Sequence, residues 1–435
     1  MRTFKTTFMS LLLALGLVIC MSPLTVAVAK VDLDFVVWSY GIDTILDNIE
    51  KFEARYPDID VTLSDFAWEK YKDVMVMRFV GKTPTDVTYG SDHWLQEWAA
   101  PGWIVPLEDY FPQALGYKDE LAPYTVEGMT YQGKLYGLPY YADIITFMYN
   151  EEMLKEAGFA KPPETWDEVV EQALVMKEKG IVEYPIMFQF QDICPWYIEV
   201  FLSMVYSHKD YRMFDDELDP IFDKDGTAAH KVAQWLVDGM RKHKIINPAS
   251  LETTEVPLVK AFGSGHAAFV ILPKYTLAQL QTPGALPLSG QFRMALMPGE
   301  THGTLGFVRF YCMTKMAVDR GKDVIDAALK FMEYFGGKTD GEYKVVKIWA
   351  LDRGLGFGQL PLYDDPEVVA AINKWGDVEL EKAQAKLARS KEALTPFYGS
   401  WSLELQRELS KALLGQKTAL DALKAAAKKW GEMKR

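Results

Sequence analysis

The stretch GKLYGLPYYADIITFMYNEEML, residues 133–154, decides how this chain is read. It sets two glycines, a proline and four tyrosines around an apolar run, and a helix-like start follows. An apolar run of this length, bounded by turn residues, reads as a buried strand. Core packing explains the strand but has no use for the hydroxyls of Tyr136, Tyr140 and Tyr141 or for the carboxylate of Asp143. A binding cleft uses both.

Upstream, VDLDFVVW (31–38) reads as a strand. Ile42, Ile45, Ile49 and Phe52 recur at helical spacing until Pro57 stops the pattern. IDVTL (59–63) is a second strand, WEKYKDVMVMRFVG (68–81) a second helix and TDVTYG (85–90) a third strand. Strand, helix, strand, helix, strand predicts a parallel α/β sheet, with ligands outside the carboxyl ends of its strands. Those ends are WSYG (38–41) and YGSDHW (89–94). Downstream, Thr165 with Glu168 predicts a capping box ahead of a helix. Strands are expected from 292 and over 306–313, then helices through 324–337, 377–388, 400–415 and 418–430.

At 435 residues the chain predicts two domains of about 200 residues each. The first 29 residues stand apart. Arg2 and Lys5, the apolar MSLLLALGLVICM and the small residues at Ala27–Ala29 make a cleavable secretory signal. Its apolar run falls short of the roughly 20 residues that span a bilayer. Lipidation at Cys20 is the competing reading, against which Ile19 stands where a small residue is required. Removing Arg2 and Lys5 from the 47 basic residues, against 60 acidic ones, leaves a net charge of about −15. That excludes nucleic-acid and anionic-membrane partners. Cys194 and Cys312 alone make no disulfide framework. The expectation is a soluble exported monomer, in a periplasm, without cofactor or metal.

In this order, VVWSYG, FEARYPDIDV, GKTPTDVTYGSDHWLQEWAAPGWIVPLEDY, the opening stretch continued to TWDEV, FGSGHAAFVI and ALLGQKTALDAL resemble the extracellular solute-binding proteins of ABC importers, the family that includes maltose-binding protein. The resemblance is loose over 190–250 and 340–400. It implies an α/β, two-lobed periplasmic binding protein fold, each lobe a sheet flanked by helices, with a hinge and a sugar cleft between them. The lobes implied are 30–140 with 292–336 and 141–291 with 337–435. The partners implied are a small solute and the transmembrane subunits of an ABC permease.

Such a cleft needs rings for the C–H faces of a sugar and ionised acceptors for its hydroxyls. The strand ends offer Trp38, Tyr40, Asp92, His93 and Trp94, with a core Trp38 and a helix cap at Asp92 as the alternatives. Tyr140, Tyr141 and Asp143 come from the implied crossover, with a structural ion pair the alternative for Asp143. Asp192 and Trp196 fall in a family segment that contributes an acid and an aromatic. Tyr275 stands where the family often stacks a Trp, and Phe307 follows the family's glycine-rich strand start. Arg309, inside an apolar run, is either an interlobe salt bridge or an anchor for an acidic ligand. Tyr398 and Trp401 belong either to the far wall or to the core.

The rival is an exported glycosidase using Asp143 and Asp192. Against it, no nucleophile elbow, HExxH, CxxC or phosphate loop occurs, and the six histidines do not fall at metal-ligand spacing. A sugar acid or other small anion, drawn by Arg309, and a cation held by aromatics and acids remain open as solutes. If Asp143 touches ligand, Asp143→Ala abolishes ligand stabilisation and the apo protein still folds.

Overall fold

Three short strands and two helices open the fold, as the sequence pattern requires. In the computed structural model, which describes residues 30–192 and 194–435, they are β1 (Val31–Trp38), β2 (Ile59–Phe66) and β3 (Val87–Ser91). The expected leader and Cys20 lie outside the described residues. β1 pairs parallel with β2 from Val31↔Ile59 and with β3 from Phe35↔Val87. Helices Ile42–Arg55 and Trp68–Gly81 make the two crossovers. Ile45, Ile49 and Phe52 form the buried stripe of the first. Before it, Gly41 adopts φ 59°, and a Cβ there would lie 2.5 Å from the Trp349 ring. Only glycine meets both demands.

The segment 137–150 becomes one 14-residue strand, β4 (Gly137–Asn150), buried along its whole length. At about 3.3 Å per residue it is far longer than one small sheet needs, and it serves two sets of neighbours. From Gly137 to Ile144 it pairs antiparallel with a late strand, Thr304–Met313. From Ile145 to Tyr149 it pairs with β5 (Phe269–Pro273), and from Phe147 to Asn150 with β6 (Phe292–Ala295). The late strand, β7, returns to the opening unit by pairing antiparallel with β3, from Val87↔Met313 to Ser91↔Arg309. The path β2-β1-β3-β7-β4-β5 is therefore mixed, not wholly parallel as the opening pattern alone predicts.

This topology corrects one expectation. The resemblance puts the strand beginning at Phe292 in the first lobe, yet β6 joins the far half of β4, alongside β5. The chain returns only in the stretch 296–303. A short apolar run declares itself a strand but not which neighbour it will pair with.

The end of the chain packs two long helices, Tyr398–Leu413 and Ala419–Lys434, through Trp401 and Trp430, whose rings meet edge-on at 4.9 Å. Thr165 and Glu168 form the expected capping box. Cys194 and Cys312 are both free and buried. Among the described residues, no helix is long and apolar enough to cross a membrane.

Candidate ligand cleft

A cavity of about 520 Å³ opens where the two halves of the sheet system meet. The first half contributes Trp38 and Tyr40 from the carboxyl end of β1, and Trp68 and Glu69 from the start of the following helix. The strands shared by the halves contribute Tyr140, Tyr141 and Arg309. The other half contributes Gln191, Cys194 and Trp196, then Thr254, Glu255 and Tyr275. Consecutive residues of a strand face opposite ways, yet Tyr140 and Tyr141 both line the cavity. The pairing register slips between Pro139 and Tyr141, and such a bulge re-aims side chains. Behind this wall Tyr140 stacks on Tyr89, centroids 4.4 Å apart and planes 13° from parallel.

Of the residues singled out from sequence, Trp38, Tyr40, Tyr140, Tyr141, Trp196, Tyr275 and Arg309 share the cavity, and the rest do not. Trp94 is buried behind Trp38 and Trp68, with ring centroids at 6.2 and 5.3 Å. Phe307 supports Tyr141 and Trp196 from below, at 5.5 and 5.3 Å. Tyr398 and Trp401 are core residues, and Trp401 Nε1 donates to the Ala426 carbonyl at 2.9 Å. Asp192 points away, accepts from Ser410 Oγ at 3.0 Å and lines a separate hollow of about 960 Å³. It is thus not paired with Asp143 as a two-carboxylate glycosidase site requires.

Asp143 sits one layer back and is 2% exposed. It accepts from the backbone N–H of Ile144 at 2.9 Å and of Tyr275 at 3.1 Å, so it fixes the turn that presents Tyr275. Burial pushes its pKa up to about 6 despite Lys274 nearby. The resemblance gives this carboxylate a ligand hydroxyl, and the structure gives it two backbone N–H donors.

Asp92 and His93 enter a buried ion cluster. Asp92 Oδ1 accepts from Arg309 Nη1 at 2.7 Å and Oδ2 from Lys391 Nζ at 2.6 Å. Lys391 Nζ also lies 2.9 Å from Glu199 Oε1, and His93 Nε2 lies 2.6 Å from the same oxygen. Burial opposes the charge on Asp92, but Lys391, His93 and Arg309 outweigh it and hold its carboxyl well below the usual range. Burial and Lys391 push the His93 pKa down. The cluster joins the loop after β3, strand β7, helix Trp196–Tyr206 and the segment at 391. It is the salt-bridge alternative for Arg309, although that residue also lines the cavity.

Sequence reasoning missed Trp68, Glu69 and Glu255, which stand at helix starts where such residues are ordinary, and Glu199 and Lys391, for which no local signal exists. Glu255 accepts a hydrogen bond from the Tyr275 hydroxyl. Burial raises its pKa to about 7, with the Tyr275 bond acting the other way. A carboxyl raised in the folded state stabilises the fold below its unfolded pKa and loses that contribution as pH rises through the folded value. The apo protein should therefore lose melting temperature between pH 5 and 8. Glu255→Gln should flatten the upper part of that fall, as read from apo melting curves at fixed ionic strength. The fold also brings together His208, Asp210 and Glu300, which sequence spacing does not reveal. Lys209 and Lys231 already pair with those carboxylates at 3.7 and 3.3 Å.

The family model described as "Bacterial extracellular solute-binding protein" matches residues 38–342. The chain belongs to this family. The solute-binding protein is 27% identical over 152 residues to the lactose-binding protein of Rhizobium radiobacter, covering 32% of this chain and 34% of that one. It spans about a third of the length of the curated relatives it matches. Among solved structures, maltose-bound MalE3 of T. maritima superposes with a TM-score of 0.78 at 22% identity, over 93% of this chain and all of that one. An ABC transporter solute-binding protein of Agrobacterium vitis with bound D-mannitol gives 0.71 at 21%, over 93% and 98%. The two-lobed α/β fold of the solute-binding protein is thereby shown.

Proposed function

We propose that the protein captures a small carbohydrate, a mono- or oligosaccharide or a polyol, between its lobes and delivers it as a monomer to an ABC-type permease. The observation that carries this is the cavity wall: Trp38, Trp68, Trp196 and Tyr275 supply flat apolar faces from both sides of the crossover, and Glu255, Gln191 and Arg309 supply hydrogen-bonding groups among them. Rings and polar groups interleaved in this way match a sugar's C–H faces and hydroxyl rim. The lobe boundary proposed runs along β4 and β7, with β6 in the second lobe; the two separate sets of neighbours along β4 support it. A solute touching both lobes stabilises the closed form by its difference in affinity for the two forms. The permease then reads the closed shape. A leader cleaved before Lys30 would place the receptor outside the cytoplasmic membrane.

A melting-temperature screen against neutral sugars, polyols and sugar acids tests the reading. At a hundredfold excess over Kd, a binder should add about 2.7 kcal/mol of stability, and chromatography should recover it unchanged. No shift with any member, or a hydrolysed product, overturns the reading.

A further inference from the structure

Arg309 is 3% exposed and yet half-used. Nη1 makes both of its hydrogen bonds, to Asp92 Oδ1 at 2.7 Å and to the Val308 carbonyl at 3.1 Å. Among the described residues Nε and Nη2 have no partner, and neither is sealed away, because the residue lines the cleft cavity. The guanidinium lies over the Phe307 ring at 4.9 Å and over Trp68 at 5.8 Å, which fixes its plane. A buried, oriented guanidinium with its side edge free is a fork for two adjacent oxygens.

Charge decides which oxygens. Behind the fork, Asp92 and Glu199 already balance Arg309 and Lys391, and His93 is held toward its neutral form. In front of it, the remaining ionisable carboxyls of the cavity are Glu69 and Glu255. A ligand carboxylate would therefore add a third acid to a site whose cations are already matched, and repulsion of this kind is how a site rejects a near-isostere. Two vicinal hydroxyls accept from the same fork without adding charge.

Resting on the carbohydrate reading above, we propose that Arg309 is a specificity-determining contact. Its Nε–Nη2 edge holds two adjacent hydroxyl oxygens of a neutral ligand, and the site discriminates against the corresponding sugar acid. Asp92 and Lys391 are positioning residues for that edge.

The test pairs neutral probes with their acids: maltose with maltobionate, D-glucose with D-glucuronate, D-mannitol with D-mannonate, each titrated calorimetrically into the wild-type protein. The expected result is binding on the neutral side, with the matching acid at least tenfold weaker. An acid that binds as tightly as its neutral partner, or tighter, overturns the inference and leaves the receptor reading standing. No binding by any of the six overturns both. With a neutral binder in hand, Arg309→Lys keeps the charge and removes the fork, so affinity should fall about ten- to hundredfold. Unchanged affinity overturns the inference. Should that variant fail to fold, monodeoxy analogues titrated into the wild-type protein decide it. Loss of either of two neighbouring hydroxyls should cost at least tenfold, and tolerance of every single deletion counts against the fork.

Discussion

Lys391→Met should lower the free energy of unfolding by about 3–5 kcal/mol at pH 8, measured by urea denaturation of the apo protein, because it removes one partner from a buried ion pair. The Lys391 side chain is fully buried and bridges Asp92 and Glu199 with a permanent charge, where His93, the other bridge between them, is held toward its neutral form. Methionine fills nearly the same volume, so the change strips charge without opening a cavity. Asp92 keeps Arg309, but among the described residues Glu199 is left with only His93 within ion-pair distance. That asymmetry predicts a pH signature. Lys391 is one of the two causes that depress the His93 pKa. Without it, the imidazole gains a proton from Glu199's field more readily. A histidine raised in the folded state contributes stability that is present at low pH and lost as pH rises. The deficit of the variant, relative to wild type at the same pH, should therefore shrink between pH 8 and pH 6. A deficit independent of pH would mean that His93 does not take over the pairing.

The same cluster shows where sequence runs out. β1, the helices at 42–55 and 68–81 and the capping box at Thr165 rest on local periodicity and local hydrogen bonding, and their limits could be read within a few residues. The long strand after Pro139 was legible because turn residues bound an apolar run on one side and a helix start on the other. The pairing of Asp92 with Lys391 spans 299 positions, and no spacing rule reaches across such a distance. Two lysines in the C-terminal third look alike in sequence, and only the fold decides which one is buried. Asp143 is a subtler case: it follows Tyr141 by two residues on the same strand, yet its carboxylate is taken up by the backbone N–H groups of Ile144 and Tyr275, and nothing in the local pattern announces that turn. The register slip between Pro139 and Tyr141 is likewise silent in the sequence, although it is what lets two consecutive tyrosines line one cavity. Glu255 is the opposite case: a helix-start acid is so common that its position carries no information until the Tyr275 hydroxyl is seen to donate to it.

Two tryptophans marked from sequence as cleft candidates now predict opposite phenotypes. Trp196 begins a helix, is half-buried and lines the cavity, with its ring edge-on to Phe307 at 5.3 Å. Trp401 is 1% exposed and locked against Trp430 and Phe214. Truncating an aromatic anchor in a binding pocket typically costs 2 kcal/mol or more of binding energy, so Trp196→Ala should raise Kd for the bound carbohydrate roughly thirtyfold or more, with a modest change in melting temperature. Deleting a fully packed tryptophan leaves a void worth about 3–5 kcal/mol of stability. Trp401→Ala should therefore melt much earlier, while the protein that remains folded binds with wild-type Kd in calorimetric titrations well below its melting point. The contrast separates recognition from scaffold, because both variants lose a similar ring. A Trp196→Ala protein with unchanged affinity would place the ligand somewhere other than this cavity, since a solute held between the lobes here cannot avoid the face that Trp196 presents.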